Sequence, residues 1–146
     1  MDLEFPYPES WSVSEDKQQE WVDAVLVESP DSAFLSINRY PKTDLPEEIL
    51  EQACQAMANE YEEIEQEDLL FDLGDGDSFG VDLRFYVLDL IVVSRLLAFT
   101  IGRYSYLVQM QAEDRDFERL RSVFHAMVTK AIQSLDDQIS IEELPQ

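Results

Sequence analysis

At 146 residues, 45% apolar and 11% aromatic, the chain is long enough for one domain with a single core and too poor in Gly and Pro for a linker protein. Its 32 acidic and 10 basic residues leave a net charge of −22, which repels nucleic-acid phosphates, and no apolar run is long enough to span a bilayer. The start Met1-Asp2-Leu3-Glu4-Phe5-Pro6 lacks the basic and then apolar layout of an export signal. The lone Cys54 admits no internal disulfide, so a cytoplasmic protein is expected.

Residues Phe5 to Trp11 set two prolines among aromatics, an extended lead-in pinned to the body by its rings, and Trp11 to Val13 opens a first strand. Trp21 to Glu28 and Ala33 to Tyr40 are rich in β-branched and aromatic residues. With Ser29-Pro30-Asp31-Ser32 between them they predict a hairpin. Asp44-Leu45-Pro46-Glu47 has the spacing of a capping box, and a helix is expected from there. In that helix Ile49, Leu50, Ala53, Cys54, Met57, Ala58, Tyr61 and Ile64 form an apolar stripe, with glutamates on the other side.

From Asp68 to Gln111 the pattern turns to strands: Leu69 to Leu73, Phe79 to Val87, Ile91 to Thr100 and Tyr104 to Gln111. Asp75-Gly76 and Gly102-Arg103 mark turns too short for parallel crossovers, so an antiparallel meander is expected. Its most continuously apolar member, Leu90 to Thr100, is expected to be covered on both faces. Acidic residues after Ala112 suit a helix N-terminus, and Phe117, Leu120, Phe124, Met127, Val128, Ala131 and Leu135 give the last helix its stripe. The acidic tail 136–146 is expected to fray. The whole, 1–146, is a single α+β domain of order βββαββββα with about six or seven antiparallel strands. Two one-sided helices favour an α/β/α sandwich; placing both on one face would leave the other for a second subunit.

Phe5, Pro8 and Trp11 before a hairpin, then a long helix, a meander, and a final helix with Phe117-x-x-Leu120-x-x-x-Phe124, give a layout that resembles the PsbP-like superfamily. That group includes photosystem extrinsic subunits, a Ran-binding import factor, DcrB-like proteins and chaperones for hydrophobic effector segments. The resemblance implies a non-catalytic adaptor, chaperone or assembly role and carries over no catalytic residue. The missing export signal sets this chain nearer the cytoplasmic branches.

Among candidate residues, His125 is the only histidine and would need Cys54 or a distant Ser to make a nucleophile pair; a packing or surface role explains it as well. Asp72, Asp75 and Asp77 around Gly74 and Gly76 lack calcium-loop spacing and suit a turn, and no zinc set exists, so no metal and no cofactor are expected. Arg84, Arg95 and Arg103 suit carboxylate pairs on one sheet face. Two surfaces remain for a partner. The aromatics Phe5, Tyr7, Trp11 and Trp21 either line a groove or pack in the core, and the acidic face with Glu51, Glu62 and Glu63 either meets a Lys/Arg-rich segment or is simply solvated. The expectation is a protein-binding module, not an enzyme, that engages a partner with a basic or hydrophobic segment and can form a homodimer; the alternatives are a self-assembling subunit and, behind it, a small-molecule enzyme with a pocket around His125 or the Asp72 to Asp77 turn.

Overall fold

A computed structural model describes residues 5–19, 22–73 and 77–143. Its strands are β1 (Ser12–Gln19), β2 (Val22–Glu28), β3 (Phe34–Pro41), β4 (Glu65–Leu69), β5 (Ser78–Val87), β6 (Leu90–Ile101) and β7 (Tyr104–Glu113). Helix α1 (Pro46–Glu60) sits between β3 and β4, and α2 (Asp114–Glu143) follows β7. The strands form one antiparallel sheet of 7 in the order β1-β2-β3-β7-β6-β5-β4. Two meanders, β1 to β3 and β4 to β7, are thus joined where β3 pairs with β7, Ile37 facing Val108.

Turn chemistry sets the registers. Between β2 and β3, the Ser29 Oγ accepts hydrogen bonds from the Asp31 and Ala33 amides at 3.2 and 3.0 Å, holding the Ser29-Pro30-Asp31-Ser32 loop as expected. At the β6–β7 turn Gly102 has φ 61°, a left-handed conformation glycine adopts without strain. The Asp75-Gly76 turn lies outside the described residues, as does Trp21.

The expected capping box does not form. Leu45 occupies the N-cap with extended backbone and no side-chain bond. The reason is Pro46: its ring starts the helix with a preset φ and no amide to satisfy, and it forces the preceding residue into the extended region. The helix is also shorter than its apolar stripe. It ends at Glu60, Tyr61 takes the C-cap position, and Ala58 is exposed. At α2 the acidic start works as expected, for the Glu113 carboxylate accepts from the Arg115 and Asp116 amides at 3.1 and 3.3 Å.

The fourth strand also departs from expectation. Residues 65–69 form β4, and Leu70 to Leu73 leave the sheet. An edge strand tolerates Glu65, Gln66, Glu67 and Asp68 because its free backbone side is wet, and carboxylates there discourage pairing with other chains. The apolar run instead folds over the sheet, where Phe71 meets Phe99 edge-on with centroids 6.0 Å apart.

The helices pack on opposite faces. Ile49 and Leu50 of α1 rest on Leu83, Phe85, Leu96 and Leu107, while Phe117, Phe124, Met127 and Leu135 of α2 rest on Leu35, Ile37, Leu97, Val108 and Met110. Alternation along β6 explains this: Leu96 and Ala98 face α1, and Val93, Leu97 and Phe99 face α2, so both sides of this interior strand are covered. Each fully buried Leu or Phe contributes about 1.5–3 kcal/mol, which is why both stripes are needed. The two buried serines enclosed with them are paired. The buried Ser105 Oγ donates to the Asp44 carbonyl at 2.8 Å, and Gln109 donates to Ser94 Oγ at 2.9 Å. Among the described residues, no helix is long and apolar enough to cross a membrane.

Candidate functional site

The sheet separates the residues expected to meet a partner. Trp11 is 7% exposed and packs edge-on against Phe124 with centroids 6.0 Å apart, so it is core and not the wall of a groove. Phe5 packs against the same core with Tyr7 at its edge, 6.4 Å between centroids, and Tyr7 is half exposed. Glu51, Glu62 and Glu63 are all exposed, Glu51 on α1 and the other two just past its end. The aromatics thus belong to the α2 side and the acidic face to the α1 side, and they do not form one surface.

A different feature stands out on the α2 side. Between α2 and the Leu69–Leu73 segment runs a cleft of about 990 Å³. Leu97 and Met110 form its floor, Leu69, Phe71 and Leu73 one wall, and Phe124, Val128 and Ile132 the other. Its α2 wall extends from Phe117 to Gln133, about 24 Å at the helical rise. The recesses beside α1 are about 280 and 350 Å³ and are bordered by Asp44 and Glu48 or by Glu47 and Glu51. Size and apolar lining therefore set the α2 cleft apart.

The cleft is held open by particular residues. Gly80 of β5 lies beneath the wall segment. A Cβ there would come within 3.1–3.2 Å of Leu97, Leu69 and Phe71, so a glycine lets the chain cross the sheet this closely. Arg95 projects from the floor and is fixed by a two-pronged pair with Asp82, at 2.8 and 2.9 Å. Its guanidinium lies 5.4 Å from the centroid of Phe117, and that of Arg121 lies 5.9 Å from the same ring. Arg121 is hydrogen-bonded to Glu118, which holds its pKa above the usual range. Arg84 pairs with Asp114 at 3.0 Å, so two of the three strand arginines serve as expected, while Arg103 is exposed in the β6–β7 turn.

His125 lies exposed at the cleft's margin on α2, and Cys54 belongs to the opposite core. The sheet stands between them, so they cannot form a nucleophile pair. Burial, then Asp68 and Glu51, push the Cys54 thiol up and keep it protonated, the reverse of a reactive cysteine. Burial and then Asp44 likewise push up the Tyr40 phenol. No group of three or more His, Cys, Asp or Glu suited to a metal occurs among the described residues.

The cleft was not legible in advance because its wall, Leu69 to Leu73, has the composition of a strand. The available signal was the carboxylate-rich stretch before it, which suits an edge strand ending at Leu69. The β5–β6 turn falls where the strand ends at Val87 and Ile91 place it, but its exposed apolar character was not anticipated. Leu88 sits there at φ 55° with 92% of its surface exposed, inside the unbroken run Tyr86-Val87-Leu88-Asp89-Leu90-Ile91. The turn residues Leu88-Asp89 lack the Asn-Gly or Asp-Gly pair that ordinarily announces a two-residue hairpin turn.

No protein-family model matches the chain, and no curated protein matches it in sequence. In structure it is similar to LpqN of Mycobacterium tuberculosis, a protein involved in cell envelope biogenesis. The identity is 11% and the TM-score 0.51, over 86% of this chain and 79% of that one. At this identity the likeness shows a common fold and nothing about activity.

Proposed function

We propose that this chain is a non-catalytic protein-binding module of PsbP-like architecture, acting in the cytoplasm, whose α2 cleft receives an apolar segment of a partner protein. The observation that carries the reading is the cleft's shape and lining: a trench about 24 Å long suits a helix of four turns or a short extended peptide. Apolar side chains supply contact area on both walls, Arg95 supplies a polar group at the floor, and Arg121 and His125 supply polar handles at the margin. The net charge of −22 adds long-range attraction for a partner with basic flanks. A protonated Cys54 on the far side of the sheet from His125 supports binding over catalysis. LpqN's part in cell envelope biogenesis is compatible with a binding role, although its fold alone is what the two proteins share.

The test is affinity purification of the tagged protein from its own cells at low and high salt, beside Ser122→Trp. Ser122 is an exposed residue of the cleft wall, so a bulky ring there obstructs the trench without entering the core. A stoichiometric protein that survives high salt and is lost with Ser122→Trp supports the reading. Only salt-labile basic proteins, recovered equally with both forms, would overturn it.

A further inference from the structure

The β5–β6 hairpin carries apolar side chains into solvent at a conformational cost. Tyr86 is 58% exposed, Val87 38%, Leu88 92%, Leu90 47% and Ile91 37%. Tyr86 pairs with Ile91 on the α2 side of the ribbon and Val87 with Leu90 on the α1 side, so the tip is apolar on both faces. β7 pairs no further along β6 than Val92, and the tip projects past it. Leu88 holds φ 55°, a left-handed backbone that Asn or Gly adopts with less strain. Stability gains nothing from an exposed leucine held this way, whereas a contact gains a rigid apolar knob.

Carboxylates flank the base of this knob. Tyr61 stacks on Phe85 with centroids 4.1 Å apart, which brings the exposed Glu62 and Glu63 to the α1 side of the hairpin just short of Val87. Glu65, also exposed, lies opposite Arg84 in the β4–β5 ladder, three residues or about 10 Å from Val87. Asp89 stands at the apex. The Arg84 guanidinium is turned to Asp114, 3.0 Å away, and among the described residues none of these four carboxylates forms an ion pair.

We infer that this tip inserts into an apolar pocket of another protein, and that the pocket is rimmed by Lys or Arg. The apolar knob supplies contact area, and the unneutralised carboxylates beside it fix the sign of what can approach. The same carboxylates repel a second copy of this chain, a nucleic acid and an anionic bilayer, since each brings negative charge to the contact. Asp89 enters with the apex and needs a cation or hydrogen-bond donors at the bottom of the pocket, because a lone buried carboxylate is costly. The contact is separate from the one proposed for the cleft: six strand residues, about 20 Å, lie between Asp89 and Arg95 on the cleft floor.

The test places a photoreactive phenylalanine analogue at position 86 of the full chain in its own cells, which keeps a ring on the tip, and sequences the peptide that it captures. The expected acceptor is one protein, joined at apolar residues that its Lys or Arg side chains flank. Leu88→Asn combined with Leu90→Thr should abolish the capture while melting at or above the parent's temperature, since it relieves the turn. Against the purified acceptor, Glu62→Gln with Glu63→Gln and Glu65→Gln should slow association about tenfold at low salt and much less at high salt. Ser122→Trp, which obstructs the cleft, should leave the capture unchanged. No acceptor, a lipid, a second copy, or an acceptor surface without cations would each overturn the inference. So would a lower melting temperature of the tip variant, which would make the tip part of the fold, or an association rate indifferent to the three glutamates. Loss of the capture with Ser122→Trp would assign it to the cleft and sink the tip contact alone, whereas a capture that persists beside an empty cleft sinks the cleft reading alone.

Discussion

On the α1 side of the sheet, Tyr61 stacks on Phe85 with centroids 4.1 Å apart, and the buried part of the face is closed by Ile49 and Leu50. On the α2 side, Phe99 has ring partners in Phe71 and Tyr106, yet beside them the wall segment stands off and leaves an open trench. Both faces use the same alternation of one strand set. They differ in what crosses them. On the α1 face the helix is the main cover and leaves only small recesses, whereas on the other face α2 shares the sheet with a short irregular segment, held over Gly80, that meets it at a few points. Closure thus comes from the covering element and not from the sheet.

The contrast is sharpest under large truncations. Phe85→Ala, on the closed face, should cost about 4–5 kcal/mol in urea unfolding, the upper end for such changes. Leu97→Ala, on the cleft floor, should cost about 2–3 kcal/mol because existing space lets the surroundings relax. A Leu97→Ala penalty equal to that of Phe85→Ala would mean the trench is rigid and its walls cannot settle.

Charge pairs give the next largest effect. Asp82→Ala strands the half-buried Arg95 guanidinium and should cost about 1.5–3 kcal/mol, little changed by salt. Arg84→Ala breaks a more exposed pair and should cost less than about 1 kcal/mol, vanishing in high salt. Equal losses would show that the cleft floor does not depend on Arg95 being fixed. Gly80→Ala should cost about 1–2 kcal/mol, since the added methyl must push Leu69 and Phe71 outward. Fluorescence of an apolar dye titrated into both forms should then report an altered cleft, and an unchanged titration would separate the wall segment from the site.

The smallest effect is alkaline. Cys54 and Tyr40 both have raised pKa values when folded, so the folded chain retains protons that the unfolded chain releases. Their contribution is full below the unfolded values and is lost as pH rises through the folded ones. Urea midpoints should fall between neutral pH and about pH 10.5, and Cys54→Ala should flatten part of that fall. A slope identical in Cys54→Ala would assign it to Tyr40 and other groups.

Element order, the antiparallel meanders and the two opposed helices were legible because period-2 and period-3.6 patterns are local and the turns are short. The places that misled are those where one residue overrode a pattern. Pro46 displaced the capping box, and the sheet edge at β4 traded a carboxylate run for the apolar run 69–73. Trp11 illustrates a different limit: composition says that an aromatic is valuable, and only packing against Phe124 says that it is spent on the core. The cleft could not be read from spacing, since its walls come from segments distant in the chain and its openness depends on how far one of them stands from the sheet.

The seam between β3 and β7 has a kinetic consequence. Every other strand pair joins neighbours in sequence, but here Phe34 meets Gln111 and Pro41 meets Tyr104, partners about 70 residues apart. Each meander can form from local contacts, and the long loop that holds α1 and β4 to β6 must close before the halves share a core. Folding should therefore wait on this one zipper, and in the native protein the amides along it should exchange with solvent only when the two halves part together.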